Sequence, residues 1–181
     1  MKKAIKTPNP DLRRMSVADY KISEKLPVVV ILDNVRSMHN VGAAFRTSDA
    51  FCIEKIFLCG ITATPPHREI HKTALGATDT VAWLYEKETT ELVSSLINDG
   101  YIIIAIEQVQ PHKPLQEFSP DPGSKYAFVF GNEVHGVTEE VVEKCDFCIE
   151  IPQSGTKHSL NISVSLGIVL WEVYRKLTLK T

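Results

Sequence analysis

Three polar segments hold most of the residues in this 181-residue chain that could touch a ligand. They are Asp33–Arg46 (DNVRSMHNVGAAFR), Gly131–Gly136 (GNEVHG) and Pro152–Asn161 (PQSGTKHSLN), all rich in Gly, Asn, Ser and charged residues. Glycines at 131 and 136 would let the backbone come close to a ligand, because glycine has no side chain and tolerates positive φ. No Lys-Ser/Thr pair follows Gly136 and the spacing is not G-x-G-x-x-G, so this is neither a Walker loop nor a dinucleotide fingerprint. A tight turn between strand and helix explains such a segment equally well. The third segment is more demanding. It separates an apolar run from a hydrophobic helix, with Ser159 and Asn161 at the helix entrance. Either residue can cap that helix, but a cap does not need the whole polar loop, and a binding role is favoured.

The surrounding pattern says what must position these segments. Pro27–Asp33 is a continuous β-branched run, as in a strand buried on both faces. Strands are also expected at Ile56–Cys59, Thr80–Tyr85, Tyr101–Ile106, Tyr126–Phe130 and Phe147–Ile151. Helices are expected to about Lys25 (with Ser16 as N-cap), at Asn40–Phe51, Thr89–Asn98, Thr138–Cys145 and Asn161–Lys176. Paired prolines make Thr62–His71 a loop. Strands and helices alternate, which predicts a single α/β domain with a mostly parallel sheet. In such sheets ligands bind beyond the carboxyl ends of the strands, where the three polar segments fall. The Asn161–Lys176 helix is apolar nearly all round, so it belongs in the core or at a subunit interface.

Composition narrows the class without identifying it. Hydrophobic residues at 44% and charged residues at 23% suit a soluble globular protein. Neither a signal peptide nor a membrane-spanning run is legible, and a cytoplasmic location is expected. The net charge of −2 does not announce a nucleic-acid binder, although Lys2, Lys3, Lys6, Arg13 and Arg14 crowd one end and Arg175, Lys176 and Lys180 the other. Cys145-Asp-Phe-Cys148 has zinc or redox spacing, but Cys52 and Cys59 do not supply a second pair. No metal is expected, and the four thiols read as small side chains on strands and helix ends.

Taken together, the segments resemble the three motifs of the SpoU/TrmH-type ribose 2′-O-methyltransferases of the SPOUT class. The first is Asn40-Val-Gly-Ala-Ala-Phe-Arg46-Thr47. The second is Phe130-Gly131-Asn132-Glu133-Val-His-Gly136. The third is Ile151-Pro152 followed by Ser159-Leu160-Asn161-Ile-Ser163-Val-Ser165. Lys72–Ala77 (KTALGA) is also typical, and the match runs from about Val28 to Lys176. Gln153 stands where methionine is frequent and Ser165 where alanine is; neither change removes a functional residue of the family.

The resemblance implies a deep C-terminal trefoil knot, a homodimer whose pockets use both subunits, and S-adenosylmethionine as cofactor. It implies that residues 26–181 form the methyltransferase domain behind a short extension, 1–25. Phe130, Gly131, Gly136, Ile151 and Leu160 would line the cofactor pocket, with Ile151 and Leu160 on either side of the adenine. Arg46, Asn40, Glu133, Ser159 and Asn161 would form the catalytic set, Glu133 orienting Arg46 or Asn40 or anchoring its turn. A guanidinium stays protonated at ordinary pH, so Arg46 is expected to stabilise a developing alkoxide or to position a phosphate rather than act as a base. His39, His135 and His158 flank the motifs and are left outside the catalytic set. The expected substrate is RNA, with transfer RNA favoured over ribosomal RNA. The rival readings are a non-catalytic RNA-binding or ribosome-assembly protein that keeps the fold, and a different nucleotide-binding α/β enzyme such as an oxidoreductase, against which the missing G-x-G-x-x-G and Walker lysine count.

Overall fold

The β-branched run near the start of the chain becomes a strand, β1 (Leu26–Asp33), whose residues from Val28 onward are all buried. Around it the computed structural model, which describes residues 4, 6–8, 12 and 14–179, builds a seven-stranded sheet. The other strands are β2 (Ile53–Cys59), β3 (Ala82–Glu86), β4 (Tyr101–Ile106), β5 (Lys113–Pro114), β6 (Lys125–Phe130) and β7 (Phe147–Glu150). Their order across the sheet is β3-β2-β1-β6-β4-β7-β5, and every pairing is parallel. The expected α/β class holds. Of the terminal cations, Lys2, Lys3, Arg13 and Lys180 lie outside the described residues.

Alternation along β1 divides the core in two. Val28, Val30 and Leu32 face one side, covered by α1 (Val17–Ile22), α2 (Met38–Ala50), α3 (Arg68–Ala74) and α6 (Ile162–Thr178). Val29 and Ile31 face the other, covered by α4 (Thr89–Asn98) and the short α5 (Glu139–Val142). Caps fix where these helices begin. The Ser16, Ser37 and Asn161 side chains accept from the first-turn N–H groups of α1, α2 and α6, a device of about 1 kcal/mol each. Tyr20 is buried and ties α1 to the sheet.

Three expectations need correction. Residues 68–71 are the start of α3 rather than loop: the prolines end at Pro66, and the His67 side chain accepts from the Glu69 N–H to open the helix. Leu75 (φ +50) and Gly76 (φ +89) then close it. α5 stops at Val142 because the Lys144 and Cys145 N–H groups bond three residues back, and Asp146 pulls the chain onto β4 through the Ile103 N–H and C=O. β3 starts at Ala82, since the Thr80 hydroxyl is committed to Asp49 and Ala77. The two-residue β5 and the 3-10 turn at Leu115–Glu117 are too short to leave a periodic signal in the sequence.

β5 follows β4 in the chain, yet β7 lies between them. Ile149 of β7 pairs with Ile106 on one flank and Lys113 on the other. Residues 107–112 therefore pass from one side of β7 to the other, anchored by Glu107 N–H to the Ile149 carbonyl at 3.1 Å. The chain comes to β7 from α5 on one face and leaves for α6 on the opposite face. The four cysteines are free, with Cys59 and Cys148 buried on strands. Among the described residues, no helix is long and apolar enough to cross a membrane.

α2 and α3 meet at Gly42. A Cβ there would fall 2.0 Å from the Thr73 hydroxyl and 2.4 Å from the Ile70 carbonyl oxygen. Ala is the better helix former by about 1 kcal/mol, so in an open helix Gly42→Ala would stabilise. At this crossing we expect it to destabilise by about 1–3 kcal/mol through overpacking, read as a lower urea midpoint with unchanged slope; a raised midpoint would contradict this packing.

Candidate active site

The carboxyl ends of β1, β4, β6 and β7 point the same way, and the segments that leave them meet there. A cavity of about 480 Å³ opens between the Gly131–Gly136 turn, the Glu107 strand end and residues 151–165. Of the sequence-predicted residues, Phe130, Gly131, Gly136, Ile151 and Leu160 all line it, as do Glu133, Ser159 and Asn161. Asn40 and Arg46 do not. Asn40 is buried behind the turn, and Arg46 is exposed on α2 with no ion pair among the described residues.

Glu133 is the fastening between two segments far apart in the chain. Its carboxylate accepts from the Arg36 and Ser37 N–H groups and from the Asn40 side-chain amide, each at 2.9 Å. The expected orienting role is thus directed at Asn40 and the α2 entrance, not at Arg46. Partial burial alone would raise the Glu133 pKa. The N–H groups of Arg36, Ser37 and Glu133 itself, with the Asn40 amide, outweigh burial and hold it below the ordinary carboxylate value.

The glycines serve the turn's own geometry. A Cβ at Gly131 would sit 2.0–2.2 Å from the Gly136–Val137 backbone. Gly136 has φ +68, and a Cβ there would lie 2.1 Å from a Glu107 carboxylate oxygen. Reciprocal bonds between the Asn132 and Gly136 backbones (2.8 and 2.9 Å) close the turn, and the Asn132 side-chain oxygen accepts from Val134 and His135. The close approach anticipated for a ligand is thus first an approach of the turn to itself.

The capping alternative at the third segment is divided between its two candidates. Asn161 is the cap, its Oδ1 accepting from Ser163 N–H at 2.8 Å. Ser159 stands outside that interaction, exposed at the cavity rim. Ile151 and Leu160 lie past β7 and before α6, outside both regular hydrogen-bond patterns, which leaves backbone groups at the cavity wall. His135 and His158 also line the cavity, whereas His39 turns to α3, its Nε2 2.8 Å from Glu69.

Two acidic residues that hold the site escape sequence reasoning. Glu107 lines the cavity and accepts from the Val137 N–H at 2.9 Å, bracing the glycine turn. Asp33, fully buried at the end of β1, accepts from the Thr89 hydroxyl at 2.6 Å and from the Thr138 N–H and hydroxyl at 3.1 Å, joining the starts of α4 and α5. The signal for Glu107 is its position as the first polar residue after Tyr101–Ile106, a strand end outside the three polar segments.

Apolar walls from Phe130, Ile151 and Leu160, a polar rim and a volume within the ~300–1,000 Å³ typical of small-molecule sites suit a flat ring carrying polar substituents. Placed beyond the carboxyl ends of a parallel sheet, the cavity gives this α/β protein a site of the size and position that a nucleoside-sized ligand requires. A family model described as the SpoU rRNA Methylase family matches residues 27–171, and the chain belongs to that family. It is 31% identical over 160 residues to a Staphylococcus saprophyticus protein named for the TrmH family of tRNA/rRNA methyltransferases, covering 88% of this chain and 63% of that one. It is 32% identical over 154 residues to the 23S rRNA (guanosine-2′-O-)-methyltransferase RlmB of Neisseria meningitidis, covering 85% and 60%. The chain thus spans less than two thirds of these relatives' length. Among solved structures, the A. aeolicus TrmH/SpoU tRNA modifying enzyme superposes with a TM-score of 0.78 at 26% identity, covering 88% of this chain and 80% of that one.

Because the Glu133 pKa is lowered on folding, its stabilisation is complete above the unfolded value of about 4.3 and disappears as pH falls through the folded value. We expect Glu133→Gln to cost about 1 kcal/mol at pH 7. The gap from the parent chain should close as pH drops below about 4. Urea titrations of both proteins across pH 3–7 test this, and a gap independent of pH would mean that the carboxylate's charge has no part in the fastening.

Proposed function

We propose that the chain is an S-adenosylmethionine-dependent RNA ribose 2′-O-methyltransferase. The observation that carries the reading is the convergence of the second and third motifs on one cavity, with Phe130, Gly131, Gly136, Ile151 and Leu160 together in its wall. Its volume and mixed lining fit the cofactor: apolar side chains for the adenine, and backbone groups at 151 and 160 for its edge. When bound, S-adenosylmethionine supplies an electrophilic methyl group on a sulfonium. Proteins of the same fold, Streptomyces viridochromogenes AviRb and a Sinorhizobium meliloti rRNA methyltransferase, have been solved with AdoMet bound.

The chain's own groups account for the rest of the task. Ser159, at the rim, is placed to hydrogen-bond a ligand; Asn161 holds the entrance of α6, and Glu133 with Asn40 holds the entrance of α2. Arg46 supplies fixed positive charge for the oxygen that loses its proton, or for a phosphate that receives it. Its position outside the cavity of its own chain supports a homodimer in which each pocket takes Arg46 from the partner. A surface for that dimer exists on α6, where Val164, Ile168 and Trp171 stand exposed on the side away from the core. The knot expectation is supported by β7, held inside the ring that β4, residues 107–112, β5 and β6 close through the β4–β6 pairing. Residues 1–25 are read as an extension of the methyltransferase domain, and the cytoplasm as its place of work.

Transfer RNA is the first target proposed, supported by the likeness to the A. aeolicus tRNA enzyme. Ribosomal RNA is the second reading, favoured by the likeness to the Neisseria enzyme. Nucleoside mass spectrometry of tRNA and rRNA from a deletion strain separates them: one 2′-O-methylated nucleoside should vanish from one pool. Calorimetry should give saturable S-adenosylmethionine binding, and none at millimolar cofactor would leave a non-catalytic RNA-binding protein.

Arg46→Ala should lower turnover by about 10²–10³ while cofactor affinity changes less than threefold. Mixing it with a pocket-blocked variant, Leu160→Arg, should restore activity to roughly a quarter of the parent, since random pairing makes half the dimers mixed, each with one intact pocket of two. No recovery on mixing would place Arg46 in its own chain's site.

A further inference from the structure

Formal charge is divided between the two sides of the sheet. On the α2–α3 side Arg36, Arg46, Arg68 and Lys72 are all exposed. The acids there are few and largely engaged: Glu69 by His39 (2.8 Å) and Lys72 (4.0 Å), and Asp49 by the Thr80 hydroxyl; only Asp79 stands apart. On the α4–α5 side the exposed acids Glu88, Glu91, Asp99, Glu139, Glu140 and Glu143 outnumber the exposed cations Lys87, Lys144 and Lys125, the last beside the Asp99 carbonyl. In a chain of net charge −2 the basic side is a concentration of cations on one surface, not an excess spread over the molecule.

The basic side is also continuous with the cavity. Glu133, in the cavity wall, grips the Arg36 and Ser37 backbone where α2 begins. From there α2 runs beside α3, fastened by His39 to Glu69, by the Thr73 hydroxyl to the His39 carbonyl, and by close packing at Gly42. His39 and Arg46 are seven residues apart on α2, which places both on the stripe facing α3. Arg68 and Lys72, one helical turn apart, flank that seam.

We propose that the α2–α3 face carries the RNA backbone, with Arg68 and Lys72 of α3 contacting phosphates beyond the cavity. Resting on the RNA substrate proposed above, this assigns the strand a direction of exit and a charge-based partner. The contacts are sequence-independent, because ammonium and guanidinium groups on phosphates position a strand without reading its bases. The acidic α4–α5 face repels the same polyanion, so the protein presents one side to it.

The test uses the full chain and a fluorescein-labelled, 20-nucleotide single-stranded RNA of mixed sequence, titrated by anisotropy at several salt concentrations. Arg68→Gln/Lys72→Gln should weaken binding about tenfold near 0.1 M salt and reduce the slope of log K against log salt by about 1.4, the value for two single-strand phosphate contacts. Lys87→Gln/Lys144→Gln, an equal loss of charge on the other side, should change binding less than twofold. Equal effects of the two pairs, or none from the first, would overturn the assignment. Circular dichroism and S-adenosylmethionine calorimetry accompany both variants, with Lys72→Gln alone as a milder change expected to give half the slope effect. A parent chain with this contrast but no cofactor binding would keep the RNA face and remove the methyl-transfer reading.

Discussion

The Glu133 carboxylate joins parts of the chain 93 to 97 residues apart, and the candidate site takes its shape from that junction. Neither segment it connects has regular structure of its own at that point. Residues 34–37 are the turn between β1 and α2, and residues 131–136 the turn after β6. Adjacent parallel strands bring the two turns side by side, since Leu32 pairs with Phe130. The carboxylate then converts proximity into fixed orientation, satisfying backbone donors at the start of α2 that the helix itself cannot pair. Glu107 and Asp33 repeat the device on either side, at Val137 and at Thr89 and Thr138. Each is an acid at the carboxyl end of a strand whose acceptor oxygens organise the backbone of another segment.

The position of β7 decides why this end of the sheet has a cavity at all. Had β5 paired directly with β4, residues 107–112 would close a short local connection. With β7 inserted, Glu107 is held at the level of Ile149. Residues 151–161 must then emerge beside it before α6 can begin on the other face. Such a segment has neither ladder nor helix to pair its backbone, so it stays polar and exposed from Pro152 to Ser159. A long polar loop between two buried elements is costly unless its backbone groups meet water or a ligand. This one faces solvent on one side and the cavity on the other.

Much of this was legible in the sequence because burial and periodicity report directly on local structure. β1, β4, β6, α2, α4 and α6 fall within two or three residues of where their apolar patterns put them. The Ser16 cap and Asn161 as one of two cap candidates follow from the same chemistry. α3 was hidden because its first turn, Arg68–His71, has a single apolar residue and stands after two prolines; its cap is a histidine ring, outside the usual set. β5 was hidden by its length. Eight of the ten proposed site residues share a cavity because they lie in two motifs that follow β6 and β7, the strands on either side of β4. Asn40 and Arg46 are separated from it for a reason no spacing reveals: α2 packs on one face of the sheet, and the turn anchored by Glu133 stands between the helix and the cavity.

That separation constrains the chemistry of the proposed reaction. A guanidinium remote from its own pocket cannot be the local base of that pocket, and its ionisation would forbid the role in any case. Exposed and without an ion pair among the described residues, Arg46 retains a positive charge free of a competing carboxylate there. In water such a charge does little; at an interface that excludes water, its attraction for an anionic oxygen grows severalfold. A catalytic contribution from Arg46 therefore needs a second surface to cover it. The apolar outer face of α6 offers a place for such a surface, packed against the same α2 that carries Arg46. In the proposed homodimer, a charge on one helix and the means of burying it on its neighbour would leave Arg46 hydrated until assembly, while the cavity, built from one chain's own motifs, stands preformed.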